Sequence, residues 1–313
     1  MAETAYVPTK EDFELLTGRD ITTDKNFASQ SYWKGVAIHF LRNRRAMVGV
    51  FIVLAIILLA VFGPILSSYG YRDIVSYTDE AGKQVVAKGI APQIGHAGDG
   101  PFDQYTFLFG TDDLGRDQWT RTWHGARVSL VIAFVTIIID MIIGMSYGLI
   151  SGYFGGAVDA VMQRIVEVAN SVPRLVIVAL LLTEWIGMSK IARAEMLRIK
   201  EQEYVLASRT LGAHSMHIIF KQILPNTIGP IITLVMFSIP TSIFTEAFLS
   251  FVGVGIMLPQ CSIGSLIENG FNNITTLPYQ ILPPIIVLAL QMLGFNFIGD
   301  GFREALAPKL EDM

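Results

Sequence analysis

MVGVFIVLAIILLAVFGPIL, residues 47 to 66, carries no charge, and about 20 apolar residues in helical conformation cross the hydrocarbon core of a bilayer. The stretch therefore predicts a transmembrane helix. The whole chain agrees: its 313 residues are 52% hydrophobic and 16% charged, with a mean hydropathy of +0.49. That is richer in apolar and poorer in charged residues than a soluble domain, so the chain reads as an integral membrane protein. Arg42, Arg44 and Arg45 stand directly before the run, and the positive-inside bias places the N-terminus in the cytoplasm.

Working outward, residues 1–46 are polar, which argues against a cleaved signal peptide. Residues 67–127 form a polar stretch with Gly, Asp and Pro punctuation that should lie outside the cell. Asp112, Asp113 and Asp117 could suggest a metal site there, but a solvated, hydrogen-bonded loop is the simpler reading. Val128 to Ser151 predicts a second span ending at the tight turn GYFGG. A third begins near Val161, and two more run over Ile228 to Val252 and Leu282 to Ile298. The net charge of −4 makes nucleic acid an unsuitable partner. Cys261 is the single cysteine, so no internal disulfide forms, and no Cys/His cluster has zinc spacing.

Within the apolar stretches Asp140, Glu167, Asn170, Arg174 and Glu246 are exceptions. Ionisable groups are costly in lipid and should face other helices or a watery cavity. For Asp140 and Glu246 two readings stand: the lining of a translocation path, or interhelical hydrogen bonds. Pro173, Pro240, Pro283 and Pro284 would kink or break helices, as in any moving membrane bundle.

A second stretch has the wrong character for lipid: EYVLASRTLGAHSMHIIFKQILPN, residues 203 to 226. Lys190, Arg193, Arg198 and Lys200 precede it, so it should face the cytoplasm. A first helix should pass through Ala207 and Ser208 and end at Gly212, since glycine accepts the left-handed conformation past a helix C-terminus. From Ser215, the spacing of Met216, Ile219, Phe220 and Ile223 predicts a short helix with these residues on one apolar face. Pro225 should close it as the chain re-enters the membrane. Such a helix suits the lipid interface or the groove of a soluble partner.

The stretch resembles the EAA loop of ABC-importer permeases. The Glu-Ala-Ala place reads Leu206, Ala207, Ser208, the glycine is Gly212, and Ile223, Leu224 and Pro225 form the end. Leu206 lacks the acid, so a salt bridge from that position does not carry over. FGTDDLGRDQWTRTWHGARVSL, GYFGGAVDAVMQRIVEVANSVPR and FNFIGDGFREALAPKL look like the C-type permease of oligopeptide and dipeptide importers. EAFLSFVGVGIMLPQCSIGSLI also fits, although Ile263 stands where many relatives have Trp. The likeness covers the first span and nearly everything after about Asp103, but not the first 30 residues or most of 67–102.

The resemblance implies an all-α polytopic membrane helix bundle with an extracellular loop segment between the first two spans. It implies a second permease subunit as heterodimer partner, two cytoplasmic ABC ATPases, an extracellular peptide-binding protein and peptide as substrate, all at the bacterial plasma membrane. Glu203, Leu206, Ala207, Ser208, Gly212, Ser215, Met216, Ile219, Phe220 and Pro225 would contact or position the ATPase. No G-x-x-x-x-G-K-[ST] loop is present, the nearest text being DEAGKQ at 79 to 84. ATP hydrolysis is thus expected in the partners and no cofactor in this chain. Nickel or another small solute is the rival cargo within the family. An ion-coupled secondary transporter using Asp140 and Glu246 would ordinarily show two related halves, and none is visible. A membrane-bound enzyme lacks a clustered nucleophile, base or metal set.

The chain accordingly divides into a cytoplasmic segment 1–46, a first span 47–66, an extracellular segment 67–127, a permease domain 128–300 containing the coupling loop 190–226, and a cytoplasmic tail 301–313. Counting crossings adds one expectation. The loop reaches the cytoplasm only after an even number of spans, yet 161–189 is too short for two, which with a turn need about 40 residues. Relatives carry about 20 more residues here. Five spans are evident, six are expected, and a segment is predicted to be missing at about Leu182 to Thr183.

Overall fold

The computed structural model describes residues 32–78, 83–95, 102, 105–170, 184–255 and 260–306. Pro173, Arg174, the Leu182 to Thr183 junction, the start of DEAGKQ and most of the C-terminal tail lie outside them. Nine helices are described. Tyr32–Arg42 (α1) leads into Arg44–Leu66 (α2), and the polar segment that follows carries a hairpin of Ser76–Thr78 (β1) and Gln84–Val86 (β2). Then come Gln118–Phe154 (α3), Gly156–Asn170 (α4), Trp185–Ile199 (α5) and Glu203–Thr210 (α6). Ser215–Phe251 (α7), Ile263–Asn272 (α8) and Leu282–Leu306 (α9) complete the chain.

Among the described residues four helical stretches are long and apolar enough to cross a membrane: Arg44–Leu66, Gln118–Phe154, Ser215–Phe251 and Pro278–Leu306. They pack around Val53, Ile56, Trp123, Leu130, Ile137, Ile231, Ile239, Ile243 and Phe295. The first two spans are longer than their apolar runs. Helix α2 starts at Arg44 because the Asn43 side chain accepts from the amides of Arg45 and Ala46. Helix α3 starts at Gln118, well before Val128, because Asp117 caps it through the Thr120 amide. Its first turns pack on the end of α2, where Trp119 Nε1 donates to the Gly63 carbonyl at 2.9 Å.

Helices α2 and α9 run antiparallel: Asn43 Nδ2 donates to Glu304 Oε2 at 2.6 Å, and Gly49 faces Gly294 midway along. Helices α4 and α5 have 15 residues each, about 22 Å at 1.5 Å per residue, short of a hydrocarbon core about 30 Å thick. The third span expected from Val161 is therefore described only to Asn170. Helix α5 runs parallel to the second half of α3. Its backbone and side chains lie against Gly144, Gly148 and Gly152, where a Cβ would collide with Trp185, Ser189 and Met196 respectively. Spacing by four puts these glycines on one face and lets the two backbones approach, as small-residue stripes do in membranes. After Phe154 the chain reverses at Gly155 and Gly156, both with positive φ, the turn predicted from GYFGG.

The segment between the first two spans folds into a small cap rather than a solvated loop. Strands β1 and β2 pair antiparallel, with Ser76 opposite Val86, over a core of Val75, Ala87 and Phe107. Asp112 accepts from the amides of Leu114 and Arg116 and from Arg116 Nε at 2.6 Å, with Arg121 Nε 3.6 Å away. Asp113 is exposed. Tyr279, just before α9, donates to the Thr111 carbonyl and ties the cap to the bundle.

Candidate functional site

The polar, hinged stretch between α5 and α7 is the most distinctive site on the bundle. Helix α6 begins after Gln202, whose backbone is extended, and Glu203 in its first turn is the favourable sign there. It ends as predicted: Gly212 has φ +80°, its amide donates to the Arg209 carbonyl, and the Ala213 amide donates to the Ser208 carbonyl. These two bonds form a Schellman motif, which needs a left-handed residue at this place. His214 then caps α7, its Nδ1 accepting from the Met216 amide at 3.3 Å.

Two expectations change here. Met216, Ile219, Phe220 and Ile223 do not share one face. Ile219 and Ile223, with Ile218 and Val205, are fully buried against Leu149, Tyr153, Ala192, Met196 and Ile199 of α3 and α5. Met216 and Phe220 point away and are about two-fifths exposed. The reason is packing: the first turns of α7 are wedged against α3 and α5, so only the pair spaced by four on the inner side is covered. Nor does Pro225 close the element. Ile218–Ile223 is wound as a π-helix, the Leu224 amide reaching back to the Ile219 carbonyl, and α7 continues through Pro225 to Phe251. The wider turn spares the helix the amide that proline lacks.

The anchored core leaves an apolar outer face. Leu211 at the tip is 87% exposed. Tyr204, Leu206, Met216 and Phe220 are also exposed, as are Glu203, Ala207 and Pro225, while Ser208 and Ser215 are half-buried. Charges hold the turn in place: Arg209 lies 5.1 Å over the Tyr153 ring, and Lys200 Nζ donates to the Gly152 carbonyl at 3.3 Å.

One clamp escaped the reading of the sequence. Asp159, in the first turn of α4, accepts from Arg193 Nε of α5 at 2.6 Å and also from Ser151 Oγ. The Arg193 guanidinium, offsetting partial burial and helped by Ser151, holds the Asp159 carboxyl down to about 2. The same α3–α5 contact depends on Gly144, Gly148 and Gly152, whose four-residue spacing in the sequence was the available signal.

Asp140 and Glu246 are not brought together. Glu246 is fully buried and accepts from Ser129 Oγ of α3 at 2.6 Å and Ser250 Oγ at 2.8 Å, an interhelical link in this conformation. Asp140 opens the π-helical turn Asp140–Gly144 within α3, is buried, and its Oδ1 has no hydrogen-bond partner among the described residues. It follows Ser129 by roughly three turns, about 16 Å along the axis. Among the described residues no group of three or more His, Cys, Asp or Glu is arranged to hold a metal.

Residues 144–312 match the family model described as binding-protein-dependent transport system inner membrane component, and residues 31–82 match the N-terminal TM domain of oligopeptide transport permease C. The chain is 39% identical over 298 residues to the oligopeptide transport system permease protein OppC of Bacillus subtilis (strain 168), covering 90% of this chain and 91% of that one. It is 38% identical over 299 residues to the dipeptide transport system permease protein DppC of the same organism, at 90% and 87% coverage. Against the oligopeptide permease OppC of Escherichia coli (strain K12), identity is 32% over 317 residues, at 94% and 99% coverage. That aligned stretch is longer than this chain, so part of the relative has no counterpart here.

Proposed function

The chain belongs to the family of binding-protein-dependent transport system inner membrane components, and from that premise we propose that it is the permease subunit of an ATP-driven importer of oligopeptides or dipeptides. It is a multi-pass membrane protein that supplies half of the translocation path, a second permease supplying the other half. The observation that carries the coupling role is the apolar face of Leu206, Leu211, Met216 and Phe220 on a turn whose reverse side is locked into the bundle by Val205, Ile218, Ile219 and Ile223. An exposed apolar patch on a rigid support is what a soluble partner grips. We assign that partner as one of two ATPases.

The orientation follows from which ends share a side. The Arg44 end of α2 meets the Glu304 end of α9, and the α9 end in turn borders α7 at Pro230 and Thr233, in its N-terminal half. The basic cluster and the coupling turn thus occupy one side, read as cytoplasmic. The cap before α3 occupies the other, where an extracellular binding protein would deliver peptide. When ATP closes the ATPase dimer, α6 and the first turns of α7 move with it and bias the bundle between inward and outward access.

The test is reconstitution. The chain, its partner permease, both ATPases and the binding protein, assembled in liposomes, should hydrolyse ATP faster when peptide and binding protein are present. No assembly and no peptide-stimulated hydrolysis would overturn the reading.

A further inference from the structure

Asp117 does more than cap α3. Its Oδ2 accepts from the Thr120 amide at 3.0 Å, Thr120 Oγ1 at 2.7 Å and Ser67 Oγ at 3.1 Å. Oδ1 has no partner among the described residues. The two arginines nearby in sequence are engaged by Asp112 instead, and Asp117, only 1% exposed, makes no ion pair among the described residues. Its three bound donors are neutral groups, so the carboxylate can still accept a charge-assisted hydrogen bond from a cation.

Asp117 lines a cavity of about 280 Å³ on the cap side of the bundle, together with Ser67, Ser68, Tyr69, Tyr105, Thr106 and Trp119. The volume is several times the ~30 Å³ share of one water. Burial, then Tyr105 and then the Asp117 charge push the Tyr69 hydroxyl above its ordinary pKa, so it stays a neutral hydrogen-bonding group. A single carboxylate beside hydroxyls and three aromatic residues is a poor site for a divalent cation, which takes several oxygen ligands, and it repels anions. It suits a monovalent organic cation, held by charge-assisted hydrogen bonds and by the ring faces.

We propose that this cavity is a binding site for a primary ammonium group on a short apolar stem. Two sources share that chemistry: the amino terminus of a peptide and a lysine of the binding protein. The choice between them rests on the import reading above, whereas the ammonium site itself does not.

The experiment uses the full chain in lipid nanodiscs, labelled with 5-fluorotryptophan, the Trp119 resonance being assigned with Trp119→Phe. Butylammonium should shift that resonance saturably and 1-butanol should not. Asp117→Asn retains an acceptor for the helix cap, since Asn and Asp cap about equally, and should weaken butylammonium at least about tenfold while the other tryptophan signals stay in place. Should that variant misfold, Tyr105→Leu removes one wall and should weaken binding severalfold. A non-saturating shift, an equal shift with butanol, or unchanged affinity in the folded variants overturns the site. Displacement of butylammonium by dialanine but not by N-acetyl-dialanine assigns the site to peptide. Capture of the binding protein by the assembled transporter that is lost both in Asp117→Asn and on adding butylammonium assigns it to a lysine. If butylammonium binds and neither competitor acts, the ammonium site stands and both assigned sources are overturned, while the import reading is judged separately by the reconstitution.

Discussion

Arg193 of α5 grips Asp159 of α4 with two nitrogens, Nε lying 2.6 Å from Oδ1. The pair joins the turn after α3 to the helix that leads into the coupling element, so it holds that turn while the outer face is pushed or pulled. Asp159→Asn should lower stability by about 1–2 kcal/mol, less than the full pKa shift implies because Arg193 is partly solvated. The folded-state pKa is depressed to about 2 from 3.8, so this stabilisation is complete above about pH 4 and is lost as pH falls through about 2. Thermal unfolding in nanodiscs should show a wild-type to Asn difference that is constant from pH 5 to 8; a difference varying across that range would contradict the assignment.

Gly212 sits at φ +80° with no atom within 4 Å of where a Cβ would stand. The penalty for replacing it is therefore one of backbone conformation, about 1–2 kcal/mol, and hardly depends on side-chain size. Gly212→Ala and Gly212→Val should impair peptide-stimulated ATP hydrolysis alike, with membrane insertion intact. Gly212→Asn, which tolerates the left-handed region, should recover most of it. Full transport in the Val variant would remove the hinge assignment.

Ile219 and Phe220 are neighbours with opposite surroundings, the first fully buried and the second 42% exposed. Ile219→Ala opens a cavity and should cost about 2–4 kcal/mol of stability. Phe220→Ala should leave the melting temperature nearly unchanged but abolish co-purification of the ATPase. If Phe220→Ala retained the ATPase at wild-type yield, the outer face would instead belong to the lipid surface.

Glu246 accepts from Ser129 and Ser250. Glu246→Ala leaves the buried Ser129 hydroxyl without its acceptor, at about 1–3 kcal/mol, and should destabilise the α3–α7 contact. Glu246→Gln retains one carbonyl acceptor and should transport peptide near the wild-type rate. A selective loss of transport in the Gln variant, with stability preserved, would restore Glu246 to the translocation path.

Parity of crossings, together with the length of the permeases the chain resembles, predicts that the natural subunit carries about 20 additional residues, one helical crossing's worth, at about Leu182 to Thr183. Sequencing of the genomic locus and intact-mass measurement of the native subunit should find them. An uninterrupted reading frame with the junction as it stands here would refute a six-span subunit.

By itself the sequence determined where apolar length forces membrane crossings, because twenty uncharged residues between Met47 and Leu66 have no other stable solution. It also determined the turn at Gly155 and Gly156 and the hinge at Gly212, since local backbone geometry alone demands glycine there. Only the tertiary structure decided which side of a helix is covered. Spacing by three and four groups Met216, Ile219, Phe220 and Ile223 on neighbouring faces, but what packs on each face is set by α3 and α5, which are distant in sequence. The Asp159–Arg193 clamp and the separation of Asp140 from Glu246 have the same origin. Each depends on contacts between helices, and a one-dimensional pattern of apolar residues carries no term for the partner across the gap. Asp117 shows both levels at once: its capping of α3 is local, made to Thr120 three residues on, whereas its place beside a cavity exists only because Ser67, Tyr69, Tyr105 and Trp119 are brought together around it.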